Sequence, residues 1–134
     1  LWKGIPLASF PFPKSYRLTS NKVISALFNR RGTRLVQFPV SLIYKELTEE
    51  EDHSGFHQHL IAVPKRKIRK AHERNLIRRR VREIIRHEIP GIQEHFPKSK
   101  YAMMWMYMSR KEESFETLQK AIQSLTHEFI ERNR

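Results

Sequence analysis

The chain has 134 residues, with 26 Lys and Arg against 14 Asp and Glu, for a formal net charge of +12. That length suits one domain with one real core. The absence of cysteine excludes a disulfide framework and any thiolate metal site and suits a reducing compartment, so a cytoplasmic location is expected. No apolar run approaches the length of a membrane span.

In chain order, residues 1–13 (LWKGIPLASFPFP) are broken by Pro6, Pro11 and Pro13. They lack a signal peptide's continuous apolar core and predict an extended arm ahead of one domain over 14–134. Ser20 is a good N-cap for a helix to about Arg31, with Val23, Ile24, Leu27 and Phe28 on one face and Gly32 as a closing C′ glycine. Leu35 to Tyr44 reads as a single strand in which Pro39 marks an edge or a bulge. Glu46 to Gly55 is an acidic turn expected as a solvated hairpin loop, and His57 to Val63 is the next strand.

Pro64 to Arg86 then holds eleven Lys/Arg against Glu73 and Glu83, a local charge of +9. Ile77, Val81, Ile84 and Ile85 fall on one helical face, with Asn75, Arg78, Arg79, Arg82 and Arg86 on the adjoining arc. Pro90-Gly91 is expected to stop this helix, and Ile92 to Phe96 to add a short turn. Tyr101 to Met108 is an apolar run of strand length, and Ser114 caps a last helix striped by Phe115, Leu118, Ile122, Leu125 and Phe129. The order α-β-β-α-β-α predicts an α+β sandwich, helices packed on a small mixed sheet.

A field focused on one element makes a polyanion the expected partner, and nucleic acid is the commonest one for such a domain. Arginine suits the task because its planar fork grips phosphate in two places and stacks on bases. A merely solvated face would mix signs, and a membrane-surface helix would need bulkier apolar anchors than a narrow Ile/Val stripe. The acids cluster between Glu46 and Asp52, away from any pairing with His or Ser that spacing supports, so catalysis by the protein itself is not expected. His57 and His59 would share a strand face, but with no carboxylate in register they read as strand histidines rather than metal ligands, and no bound metal or cofactor is expected.

The string Lys70-Ala71-His72-Glu73-Arg74-Asn75, then Arg78-Arg79 and Arg82-Glu83, resembles the signature helix of the bacterial ribonuclease P protein component. Pro13-Lys14 with Arg17-Leu18, and Gly32 with Arg34, are similar to that family's N-terminal signals. The chain differs from the pattern at Leu76, Arg69 and Ile24. The resemblance implies a left-handed βαβ crossover, in place of the right-handed default. It also implies an accessory subunit of an endoribonuclease that removes the 5′ leader of precursor tRNA, with cleavage by the catalytic RNA and its Mg²⁺. Lys65, Arg66, Lys67, Arg69, Lys70, Arg74, Asn75, Arg78, Arg79, Arg82 and Arg86 would then bind that RNA. Asn75 could instead bond its own helix start. Lys14, Arg17, Phe28, Phe38 and Tyr44 would line a cleft for the single-stranded leader, though each aromatic has core packing as its alternative. The partners implied are the catalytic RNA and the precursor tRNA, with no membrane and no obligate protein partner. The other class that fits the charge is a ribosomal or RNA-chaperone domain with no role in cleavage.

Overall fold

The computed structural model describes residues 16–52 and 55–134. The 1–13 arm and Lys14 lie outside the described residues. Three helices pack on one four-stranded mixed sheet: α1 (Asn21–Ala26), β1 (Thr33–Gln37), β2 (Val40–Glu46), β3 (Gln58–Ala62), α2 (Ala71–His95), β4 (Tyr101–Tyr107) and α3 (Phe115–Asn133). The sheet order is β1-β2-β4-β3, antiparallel except for the β3/β4 pair. The fold is the α+β class expected, with the basic helix α2 as the crossover between the parallel strands.

Several details differ from the sequence reading. The single strand expected over Leu35 to Tyr44 is a hairpin, β1 and β2, because Pro39 and Phe38 make its turn. Proline's missing N–H is harmless there, whereas inside a strand it would break the ladder. The acidic segment after β2 is not a hairpin loop, since β3 lies beyond β4 from β2. Its Glu51 is held by the Lys45 ammonium at 2.8 Å and the Thr48 N–H at 3.0 Å, which together keep its carboxyl below the usual range. Finally, α2 runs through Pro90-Gly91 to His95. Interior proline costs about 3 kcal/mol. Ile89, Ile92 and Phe96, all buried, offset it at about 1.5–3 kcal/mol each. The Gln93 carboxamide oxygen also accepts from the His57 N–H at 3.3 Å, tying the last turns to the start of β3.

The period of two in the strands divides the core into two layers. Leu42, Tyr44, Met103, Trp105 and Tyr107 face α2 and α3, where Ile77, Val81, Ile84, Ile85, Leu118, Ile122 and Phe129 complete the larger cluster. Ile43, Ala102 and Met104 face the other way and meet Leu18, Val23 and Leu27 beneath α1. Ser20 caps α1 as expected, accepting from the Val23 N–H at 3.3 Å, and Ser114 caps α3 through the Thr117 N–H at 3.1 Å. The helix begun by α1 does not stop at Ala26 but widens into a π-helical turn over Leu27–Arg31. Gly32 follows with φ −100, not the left-handed C′ conformation expected. Its reason is close approach. A Cβ there would stand 2.9 Å from Ile43 Cγ2 and 3.1 Å from the Tyr44 carbonyl oxygen.

Candidate nucleic-acid interface

The segment between β3 and α2 carries five of the eleven basic residues of the 64–86 stretch, and its shape has identifiable causes. The Pro64 carbonyl accepts from the N–H groups of Lys67 and Ile68, at 3.0 and 3.1 Å, closing a turn. Ile68 is buried in the larger core and anchors that turn from below. Lys65, Arg66, Arg69 and Lys70 are exposed around it, and Lys67 is half-buried. Lys70 stands at the N-cap of α2, where its carbonyl accepts the first helical N–H bonds, from Glu73 and Arg74.

Along α2 the arginines divide. Arg78, Arg79 and Arg82 lie on the outward arc, and Arg78 and Arg82 line a concavity with Arg17, Thr19, His59 and Ile61. Arg17 reaches this place because the chain before α1 runs parallel to β3, with the Leu18 N–H donating to the His59 carbonyl at 2.8 Å. Burial, reinforced by Arg17, Arg78 and Arg79, pushes the Arg82 guanidinium below its usual range. Among the described residues neither Arg17 nor Arg82 has an acidic partner. Such a cluster creates a positive local potential that attracts anions.

The remaining arginines of α2 are used by the protein. Arg80 donates to the Glu112 carboxylate at 2.9 Å and the Glu113 carbonyl at 3.2 Å, tying α2 to the loop before α3. Arg86, expected in the RNA-binding row, instead pairs with Glu83, and both side chains are largely buried. Glu83, three residues earlier and itself buried, stands within reach on the same side of α2. Arg74 donates to the carbonyls of Ile68 and Arg69. Asn75, exposed, accepts from Arg78 at 2.9 Å and so orients that guanidinium rather than capping the helix.

A second concavity lies between α1 and the sheet, lined by Leu27, Phe28, Gly32, Arg34, Ile43, Arg66 and Met106. Phe28 is 56% exposed at its rim, on the π-helical turn. Lys14 lies outside the described residues, and of the expected cleft residues among those described Phe28 alone lines it. Phe38 is exposed at the tip of the β1–β2 turn, and Arg17 belongs to the other concavity. Tyr44 is a correction: it faces the opposite side of the sheet, buried edge-on against Phe129 at 4.8 Å between ring centroids, with its hydroxyl accepting from Asn133 at 3.1 Å. Strand alternation puts Ile43, not Tyr44, on the cleft face. The sequence reading leaves Arg34 out of the cleft, although alternation from buried Leu35 places it on the same face as Ile43. Arg66 is shared: it belongs to the basic turn and also lines this cleft.

The two strand histidines serve the core. His57 Nδ1 accepts from the Tyr101 N–H at 3.0 Å, and His59 Nδ1 accepts from the Trp105 indole N–H at 3.1 Å. Burial lowers His57 to about 4 and His59 to about 3, so both rings are neutral near pH 7.

The family model of ribonuclease P matches residues 12–129. The chain belongs to the ribonuclease P family. Membership makes it a protein subunit of ribonuclease P, within an endoribonuclease complex of tRNA processing. Among solved structures it is similar to the Staphylococcus aureus RNase P protein at 15% identity and TM-score 0.63, over 87% of this chain and 96% of that one. It is also similar to a mutant of that protein with defective mRNA degradation activity, at 16% identity and TM-score 0.62, over 87% and 89%. A further structure of the S. aureus RNase P protein matches at 13% identity and TM-score 0.57, over 90% and 94%. No curated protein matches the chain significantly. No helix among the described residues is long and apolar enough to cross a membrane.

Proposed function

We propose that the chain binds the catalytic RNA of ribonuclease P with the outward arginines of α2 and the basic turn, and holds the 5′ leader of precursor tRNA in the cleft beneath α1. The observation that carries this reading is Arg66. One turn joins a row of uncompensated guanidiniums to a concavity with an exposed aromatic rim, so two RNA segments can be held side by side. Folded RNA offers phosphates and shape rather than readable groove edges, which suits Arg17, Arg78, Arg79 and Arg82 with Lys65, Lys67, Arg69 and Lys70. A leader of varied sequence needs a tolerant grip. Phe28 offers a stacking face, and Arg34 and Arg66 offer charge to the backbone.

In this reading Mg²⁺ and the cleavage chemistry belong to the RNA. The protein's part is to bind, to orient and to neutralise phosphate repulsion. The test is cleavage of a precursor tRNA at low Mg²⁺ by the catalytic RNA alone, the protein alone and the pair. Cleavage at the mature 5′ end by the pair, with the protein alone inert, is the expected result. Cleavage by the protein alone, or no stimulation of the RNA, would overturn the reading.

A further inference from the structure

The first turn of α2 contains a cation where the helix field disfavours one. Arg74 stands four residues into the helix, near its positive end. It is half-buried, and its Nη1 is aimed back along the chain, donating to the Ile68 carbonyl at 3.0 Å and the Arg69 carbonyl at 2.7 Å. Those carbonyls end the basic turn, whose beginning is closed on Pro64. Between the two closures Lys65, Arg66, Lys67, Arg69 and Lys70 repel one another within six residues. Their spacing is fixed by Ile68 from below and by Arg74 from behind.

We propose that Arg74 is a positioning residue, a clamp that locks the 64–70 turn onto the start of α2, and not itself a phosphate ligand. It acts through the residues it places, above all Arg66, which must serve the helix row and the cleft together. What the turn touches rests on the RNA-binding reading above; the clamp does not. A guanidinium suits this role because it stays charged at any relevant pH and one nitrogen can span two carbonyls.

Hydrogen exchange on the free protein tests the clamp, comparing wild type with Arg74→Ala and Arg74→Gln. In Arg74→Ala the Lys67 and Ile68 amides should exchange at least about tenfold faster, while amides from Ile84 to Ile92 stay as protected as before. Arg74→Gln, which keeps a donor but no charge, should retain most of the protection. Unchanged exchange in Arg74→Ala would overturn the proposal. The salt dependence of binding to the catalytic RNA is the second readout, since each phosphate neutralised adds about 0.7–0.9 to its slope. Arg74→Ala should lower the slope by about 1.4–1.8 or more, as the loosened turn gives up two phosphates, and Arg74→Gln should hardly change it. An equal fall of about 0.7–0.9 in both variants would make Arg74 a direct ligand and overturn the proposal. If Arg74→Ala does not fold, Arg74→Gln decides. A protected turn with an unchanged slope supports the clamp, and a protected turn with the slope of a single phosphate missing overturns it. Failure of wild type to bind the RNA would sink the RNA reading while leaving the exchange result to judge the clamp.

Discussion

Arg82 and Arg86 are four residues apart on one helix, and they have opposite fates. Arg82 shares a concavity with Arg17 and Arg78, with no acid among the described residues to answer them. Arg86 is turned into the protein against Glu83. The same contrast separates Arg79, exposed, from Arg80, spent on Glu112 and Glu113. The charge on a helix therefore overstates what it can offer a ligand. The residues that matter for a polyanion are those the fold leaves uncompensated.

The strongest way to break this contrast is Arg86→Ala. It leaves the Glu83 carboxylate buried without its partner, and should destabilise the fold by about 3–5 kcal/mol in denaturant unfolding. The salt slope of RNA binding should stay as in wild type. Intact stability with a slope lower by about 0.7–0.9 would move Arg86 to the outward set.

Histidines divide in the same way, since His57 and His59 are used by the core whereas His72 is exposed. Folded, His57 and His59 sit near 4 and 3, below the value of about 6.5 for an unfolded imidazole. The unfolded chain therefore takes up protons first as pH falls. Stability should be full above about pH 6.5 and decline towards pH 4, by on the order of 2–4 kcal/mol between pH 7 and 5. Protonation at Nδ1 would also forfeit the bonds from the Tyr101 N–H and the Trp105 indole. A flat unfolding free energy over that range would show that these rings are not buried neutral.

Phe28→Ala asks whether the two concavities are separate surfaces. Leader affinity should fall by about 1–3 kcal/mol if the ring stacks on a base. Binding of the catalytic RNA should not change, and neither should stability, because the side chain is mostly exposed. A loss of folding would return Phe28 to the core. The smallest effects come from the arginine pair itself. Arg82→Ala should lower the salt slope by about 0.7–0.9. Arg80→Ala should leave the slope alone and cost under about 1 kcal/mol of stability, since its ion pair is partly exposed. Equal slopes for the two variants would erase the distinction drawn between them.

Local signals in the sequence carried the fold class, both serine caps and the basic helix, because caps and apolar periods depend on neighbours in the chain. Pro39 misleads a local reading, since whether proline sits at an edge or in a turn depends on which strands flank it. The stop expected at Pro90-Gly91 failed because Ile89, Ile92 and Phe96 found a core that no local rule anticipates. The site was half legible. Charge density located the turn and helix, but the buried carboxylate of Glu83 decided that Arg86 is spent within the protein while Arg78 and Arg82 are not. The cleft was least legible, assembled from α1, β1, β2, β4 and the turn before α2. Alternation from the buried Leu35 would have found Arg34, but only the hairpin register, Leu35 opposite Leu42, excludes Tyr44.

The parallel pairing of β3 with β4 also sets an order in time. The apolar stripe of α2 packs chiefly on α3, later in the chain. A nascent chain that has emerged only as far as Lys100 carries the +9 segment without its main packing partner, α3, and the sheet without the strand that joins β2 to β3. At a synthesis rate of about 5–20 residues per second, the stretch from Tyr101 to Asn133 takes about 2–7 s to follow. Through that interval the arginines are a loose polycation beside the ribosome's own RNA. They become a surface of fixed shape only when α3 docks on α2.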